Sequence, residues 1–431
     1  MKYLWIIFFL SCATNTSTET PSNTENTHPN ILLIIMDDMG IDATPNYQVG
    51  SVKPKMPNLE LLMQNGITFD NVWSNTQCSP TRATLLTGKY GFRTGVLNAT
   101  SKNQIPTTET SLQTYIKQNS PVPYASAVIG KWHLSGNSNG GKTNPANMGI
   151  PHYSGFISGA LNDYFNWELT TNGTTETSTE YVTTKFTDMS IDWIKQQTSP
   201  WFLWLAYTSP HTPIHLPPTF MHSQGDLPTD NASINANPLP YFLAMIESID
   251  HEIGRLLTSM SAETKENTLI LFLGDNGTSR KVIQGYNKAD SKGSLKNGGI
   301  LVPLIASGKT VLRKNVRESA LINTTDLFST IANTTGINAT HIHDSYSFSS
   351  LFSNENTSER TFIYSETDDK IVGWALRNQT HKLIQYENGD QEFYNLTNDF
   401  YEQNNLLLHP LSDSDKSIKQ QLETLNQSLK N

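Results

Sequence analysis

The sequence predicts an α/β domain: a large, largely parallel sheet covered by helices on both faces, followed by a small antiparallel sheet. Three observations predict it. Four apolar runs of strand length each stop in polar residues: NILLIIMDD (30–38), YASAVIGKWH (124–133), WFLWLAYTSPH (201–211) and TLILFLGDN (268–276). Stretches with helical spacing lie around and between them, at 57–65, 109–118 and 240–260, the last reading PYFLAMIESIDHEIGRLLTSM. Residues 360–400 then alternate short apolar runs with turns, as in RTFIYSE, VGWALRN, HKLIQYENGD and QEFYNL.

Each element has a physical reason. Near-continuous apolar strands are buried on both faces, as in parallel sheets clothed by helices. In such sheets ligands bind beyond the carboxyl ends of the strands. That rule gathers Asp37, Asp38, Lys131, His133, His211, Asp275 and Asn276 along one edge. The short alternating runs after residue 360 suit a meander closing over the domain. A final helix is expected over 412–427. In domain terms the reading is 29–355 for the main α/β unit and 356–431 for a C-terminal subdomain.

The chain has 431 residues, 36% hydrophobic, with a formal net charge of −9. That balance argues against nucleic acid as a partner, since phosphate backbones need basic patches. Lys2 precedes the apolar YLWIIFFL and then Ser11-Cys12, the pattern of an export signal over residues 1–12. Phe9-Leu10-Ser11-Cys12 is similar to a bacterial lipobox, in which the cysteine is lipidated; the alternative is an ordinary cleaved signal with an incidental cysteine. Residues 13–28 contain almost nothing apolar and read as a disordered tether. The expected location is the periplasm or outer surface of a bacterium, with membrane contact only through a lipid at Cys12.

Only two cysteines occur, Cys12 and Cys78, so no disulfide framework is available to the exported chain. Any single polar strand end has a dull explanation as a turn former or cap. Adjacent acids are harder to dismiss, because Asp37 and Asp38 abut a buried strand and repel unless a cation neutralises them. Three carboxylates and an amide oxygen, from Asp37, Asp38, Asp275 and Asn276, make a hard oxygen site suited to Ca²⁺ or Mg²⁺ rather than zinc.

Residues 78–88 read Cys-Ser-Pro-Thr-Arg-Ala-Thr-Leu-Leu-Thr-Gly. Pro80 suits a first helical turn and Gly88 a helix end. Cys78 then sits at a helix N-terminus that favours an anion, with Arg82 one turn along. A buried cysteine before an ordinary helix would not ask for that arginine. Cys-x-Pro-x-Arg followed by Leu-Leu-Thr-Gly resembles the signature of the formylglycine-dependent sulfatases. So do 125–134, Ser209-Pro210-His211-Thr212-Pro213, Gly274-Asp275-Asn276-Gly277, Lys292-Gly293-Ser294 and the closing segment 392–406, all in the family's order. The resemblance covers roughly residues 29–406.

It implies the alkaline-phosphatase-like α/β fold, a large mixed sheet between helices with a small C-terminal antiparallel sheet. It implies that a separate maturation enzyme oxidises Cys78 to formylglycine (3-oxoalanine), whose hydrate attacks sulfur and then expels sulfate. One Ca²⁺ per chain would be held by Asp37, Asp38, Asp275, Asn276 and the modified residue 78. Arg82 would position the hydrate; Lys131, His211 and Lys292 would bind sulfate oxygens; His133 would take the proton that breaks the sulfated intermediate. The implied substrate is a sulfated polysaccharide or oligosaccharide, with an algal glycan such as ulvan as one candidate. His152, Tyr164, Trp167 and His215 are candidates for a sugar subsite, each with a structural alternative. The rivals are a phosphodiesterase or phosphonate monoester hydrolase of the same superfamily, and a non-catalytic glycan-binding lipoprotein. The chain departs from the family at Asn297-Gly298-Gly299-Ile300-Leu301, where Glu-Gly-Gly-x-Arg is usual, at Pro123, and at Gln77. The first departure is expected to affect local support more than the reaction.

Overall fold

The computed structural model describes Met1 and residues 28–355 and 358–430. The expected export signal, the lipidated Cys12 and nearly all of the tether lie outside the described residues.

Ten strands form the main sheet: β1 (Asn30–Met36), β2 (Gly66–Trp73), β3 (Ala125–Lys131), β4 (His152–Phe156), β5 (Trp167–Thr171), β6 (Thr174–Ser178), β7 (Trp201–Ala206), β8 (Thr268–Gly274), β9 (Leu304–Gly308) and β10 (Val316–Asn323). Their order is β10-β2-β9-β8-β1-β7-β3-β4-β5-β6. The four strands expected from the apolar runs are four neighbours, β8-β1-β7-β3, all mutually parallel. Antiparallel pairings at β9 and along β4-β5-β6 make the whole sheet mixed.

All seven residues of β1 are buried. Alternate side chains enter different cores: Leu32, Ile34 and Met36 on one face, Ile31, Leu33 and Ile35 on the other. Helices Pro57–Gln64, Val182–Lys195 and Pro238–Ser259 cover the first face, and Cys78–Thr87, Leu112–Asn119 and Asp326–Thr334 the second. Burying each such aliphatic side chain is worth roughly 2 kcal/mol, so the centre of the sheet is the stable platform. The helix expected from residue 109 begins at Leu112, because the Ser111 hydroxyl accepts the Thr114 N–H at 3.1 Å and caps it there.

A short ribbon, β11 (His341–Ile342) with β12 (Ser345–Tyr346), precedes an antiparallel sheet of β13 (Ile363–Asp368), β14 (Val372–Arg377), β15 (His381–Tyr386) and β16 (Gln391–Asn395). The helix Asp413–Lys430 packs on that sheet through Leu422, against Tyr364, Leu376, Leu383 and Phe393. Asn323, at the end of β10, ties this unit to the main sheet. Its amide donates to the carbonyls of Trp73 and Tyr364 and accepts the Tyr364 N–H.

Candidate active site

Parallel register does the assembling. Met36 pairs with Gly274 and Ile35 with Ala206, so β1, β8 and β7 end level with one another. Gly130 pairs with Ala206, which brings the end of β3 to the same edge. Asp37, Asp38, Asp275, Asn276, Lys131, His133 and His211 follow directly from these ends, as the sequence predicted. Cys78 reaches them from the first residue of its helix, whose C-cap Gly88 adopts the left-handed conformation at φ 68°.

Cys78 is 1% exposed, and its Sγ lies 3.1 Å from His133 Nδ1. His133 has φ 57°, uncommon for a residue with a Cβ, and the Ser79 hydroxyl steadies its carbonyl at 2.8 Å. Its Nε2 lies 3.1 Å from the Ala99 carbonyl, which can only accept, so Nε2 carries the proton. Nδ1 is then the free base facing residue 78. Burial, with Lys131 and Arg82 nearby, holds the His133 pKa well below its ordinary value and keeps the ring neutral.

Three cations meet three carboxylates here. Arg82, fully buried, donates to Asp275 Oδ2 at 2.8 Å and to the Lys131 carbonyl at 2.8 Å. Lys131 pairs with Asp37, and Lys292 with Asp38. Burial opposes the charge on Lys292, but Asp38 and the other negative groups outweigh it and raise its pKa. Burial would raise the Asp37 carboxyl too, but Lys131, His211 and Arg82 pull it below its usual range. Asp275 goes the other way: burial and the neighbouring Asp37 push it well up despite Arg82. His211 donates from Nδ1 to the Thr212 carbonyl at 2.8 Å, and its Nε2 faces Asp38 Oδ2 at 3.9 Å, beyond a direct hydrogen bond.

A divalent cation fits this donor set. Asp37 Oδ1 and Asn276 Oδ1 are buried without a hydrogen-bond partner, although buried oxygens are nearly always satisfied. Donor atoms of Asp37, Asp38 and His211 lie within 4.8 Å of one another. The three ion pairs cancel in formal charge, so a bound dication would leave the edge positive toward an anion. The fit rests on oxygens and suits a hard ion.

Several sugar-subsite candidates are structural. Tyr164 is 1% exposed and donates its hydroxyl to the His211 carbonyl at 2.6 Å, so it positions that histidine from below. His215 stacks on Tyr164 with ring centres 4.0 Å apart and also reaches the Tyr181 hydroxyl. Trp167 is buried and donates to the Glu180 carbonyl. His152 begins β4, at the opposite end of the sheet from the cluster. Aromatic composition signals sugar binding only where the ring is exposed, and these are committed to packing.

Sequence reasoning missed the supports. Gln77 accepts the Ala99 N–H at 2.7 Å and donates to Asp369 at 2.9 Å, linking the His133 partner peptide to the turn between β13 and β14. A Cβ on Gly159 would lie 2.1 Å from His133 Nε2, so only glycine lets that loop cross the imidazole. Asn297, one of the departures, donates its backbone N–H to Glu402 and its side-chain amide to the Phe400 carbonyl. A carboxylate from the C-terminal segment thus anchors the loop after Lys292. The departure at Gln77 was visible in the sequence; its partners, more than 20 and 290 residues away, were not.

The Sulfatase family model matches residues 29–337. Human N-acetylgalactosamine-6-sulfatase is 27% identical over 325 residues, covering 68% of this chain and 56% of that protein. An uncharacterized sulfatase of Escherichia coli, YdeN, is 27% identical over 304 residues, covering 58% of this chain and 52% of that protein. The chain therefore spans little more than half the length of these relatives. Among solved structures, Ps i-CgsB in complex with k-i-k-neocarrahexaose superposes with a TM-score of 0.77 at 22% identity, covering 93% of both chains. BT4656 in complex with its substrate D-glucosamine-2-N,6-O-disulfate gives a TM-score of 0.75 at 19% identity, covering 94% of this chain and 98% of that one. The matched span of the family model includes every residue of the cluster at the strand ends, and this chain belongs to the sulfatase family.

Proposed function

We propose that the chain hydrolyses sulfate esters of a carbohydrate, with residue 78 as nucleophile. The observation that carries the reading is Cys78 at a helix N-terminus, 3.1 Å from the unprotonated nitrogen of a neutral His133 and beside Arg82, Lys131 and Lys292. Oxidation of Cys78 to formylglycine by a maturation enzyme, followed by addition of water to the aldehyde, would supply a hydroxyl nucleophile where sulfur would leave a stable thiosulfate ester. Asp37, Asp38, Asp275 and Asn276 would hold calcium, which supplies polarisation of the ester and the nucleophile.

The chain's own residues do the rest. His133 Nδ1 takes a proton from the group at position 78, while the Ala99 carbonyl keeps Nε2 protonated. Lys131 and Lys292 present ammonium groups to the oxygens of a singly charged ester, and such fixed charges favour the transition state. Arg82 fixes Asp275 and the end of β3 against each other rather than reaching outward. His211, its Nδ1 committed to Thr212, turns Nε2 toward the ester. Two solved structures of this fold hold a carrahexaose and a glucosamine disulfate, which supports a sulfated sugar as substrate. An algal glycan such as ulvan remains one candidate within that class.

The test is turnover by protein co-expressed with a formylglycine-generating enzyme. 4-Nitrophenyl sulfate should be cleaved faster than 4-nitrophenyl phosphate and bis(4-nitrophenyl) phosphate, and Cys78→Ala should abolish it. Faster turnover of the diester would move the chain to the phosphodiesterase rival. Residues 1–28 support export and a lipid at Cys12. A fatty-acid analogue should label the wild type in a bacterial host and leave Cys12→Ala unlabelled; equal labelling would refute the anchor.

A further inference from the structure

Beside the cluster lies a cavity of about 510 Å³ lined by the loops that carry His211 and Lys292 and by the short helix Asn231–Ala236. Thr212 and Pro213, directly after His211, form one wall. Lys281 and Lys288, on the loop leading to Lys292, also line it. Asn231 and Asn235 complete the rim, and no aspartate or glutamate is among the lining residues. Pro238, the first residue of the 22-residue helix Pro238–Ser259, also lines it; that helix has no side-chain cap, so the positive end of its dipole opens toward the cavity.

The charge is out of keeping with the molecule. The chain carries −9 overall, yet residues 279–292 hold Arg280, Lys281, Lys288 and Lys292 against Asp290 alone. Lys292 is committed to Asp38, and the Asp290 carboxylate accepts from Asn287. Among the described residues, none stands in an ion pair with Arg280, Lys281 or Lys288, whose side chains are exposed. Other surface cations, Lys142 and Lys195 among them, also stand in no ion pair with a described residue; what sets Lys281 and Lys288 apart is that both line one hollow. Ammonium groups beside an acid-free hollow attract an anion, and this hollow shares Thr212 with the loop that carries His211.

We infer that this cavity is a subsite for a second anionic group of the substrate, a sulfate or uronate carboxylate on the sugar next to the one being desulfated. The inference rests on the sulfate-ester reading and narrows it: the substrate is a polyanionic glycan, and an isolated monosulfated sugar would leave Lys281 and Lys288 without a counter-charge. Thr212 is held by the His211 hydrogen bond, so occupancy of the subsite would orient the ester toward His211 and Lys292. The Asn231 and Asn235 amides are placed to meet sugar hydroxyls.

The experiment uses the double variant Lys281→Ala/Lys288→Ala in full-length, matured protein. With a dextran-sulfate hexasaccharide, kcat/KM should fall about ten-fold, the scale of two exposed charge pairs, and mostly through KM. With 4-nitrophenyl sulfate it should change less than two-fold. Equal loss on both substrates, or no loss on either, overturns the subsite. Binding gives a second reading that does not need turnover. In a Cys78→Ala background, labelled dextran-sulfate hexasaccharide and hexagalacturonate distinguish a sulfate neighbour from a carboxylate one. Affinity for at least one should fall with the double variant, and raising salt should weaken the parent more than the variant. Unchanged affinity for both anions, or matching loss for uncharged dextran, sinks the inference. Absence of any 4-nitrophenyl sulfate turnover by matured wild type would instead sink the sulfatase reading, leaving the binding result to stand or fall separately.

Discussion

Two buried charge clusters in this molecule each leave a guanidinium Nε without a partner, and they differ in their acceptor oxygens. Around Arg360, the guanidinium pairs with Asp326 and donates to the Asp344 and Phe362 carbonyls and the Tyr90 hydroxyl. Asp326 also accepts the N–H groups of Asn323 and Tyr346, so both its oxygens are engaged. At the strand ends, Arg82, Lys131 and Lys292 face Asp37, Asp38 and Asp275, yet Asp37 Oδ1 and Asn276 Oδ1 have no partner. There too Asp38 and His133 sit at positive φ. A buried ion pair whose lone pairs are saturated by backbone holds a fold together. One with acceptors left over is organised for something that arrives later.

The sharpest way to break the contrast is to damage each cluster once. His133→Ala should lower kcat by about 10²–10⁴ with little change in Tm, because it removes a proton acceptor. Arg360→Ala should do the reverse, costing roughly 3–5 kcal/mol of stability by stranding Asp326, while folded enzyme keeps its turnover. Activity and melting measured on both variants would collapse the distinction if each lost both properties in proportion.

Calcium probes the same difference in solution. Adding Ca²⁺ at 100-fold over its dissociation constant should stabilise the chelator-treated protein by about 2.7 kcal/mol. Asn276→Ala should blunt that shift, and Arg360→Ala should retain it on a lower baseline. Melting curves with and without EDTA suffice, and an identical calcium response in Asn276→Ala would remove that residue from the donor set.

A third test lies beside the saturated cluster. Burial pushes the Glu366 pKa up from 4.5 to about 7, against hydrogen bonds from the Phe92 N–H and the Tyr364 hydroxyl. The folded state therefore binds this proton more tightly than the unfolded chain. Its contribution is complete below pH 4.5 and is lost as pH rises through 7, a change of about 3 kcal/mol for this group. Glu366→Gln should flatten that part of the stability profile; an unaltered slope between pH 5 and 7.5 would place the titration elsewhere.

The smallest effect is expected at Gln77. Gln77→Ala should lower kcat about five-fold and leave KM nearly unchanged, because it loosens the Ala99 peptide behind His133 without touching substrate. A change in KM alone would mean that Gln77 contacts the ester itself.

What was legible in the sequence follows from the range of each interaction. Strands β1, β3, β7 and β8 announce themselves because a doubly buried strand must be apolar throughout, and their polar stops mark where chemistry can sit. The Cys78 helix was equally plain, since Pro80 and Gly88 punctuate it locally. Strands β2 and β10 were not read: their runs GITFDNVW and VRESALIN mix polar residues into the apolar ones. The β5–β6 hairpin did carry a signal, the Asn172-Gly173 turn with both residues at positive φ. The partners of Gln77, Gly159 and Glu402 left no local trace, because each is brought near only by the finished fold.

Burial of residue 78 also sets an order of events in the life of the chain. With 1% of its surface exposed and its sulfur against His133, Cys78 offers no handle to another protein in the folded chain. Strand β8 lies about 190 residues downstream, so during synthesis a long interval passes in which the cysteine is out of the ribosome and the sheet is not yet complete. On the proposed formylglycine reading, the oxidising enzyme would have that interval as its window. On that reading, segments that hasten folding would close the window early, and slow assembly of a long-range parallel sheet would be an advantage rather than a defect.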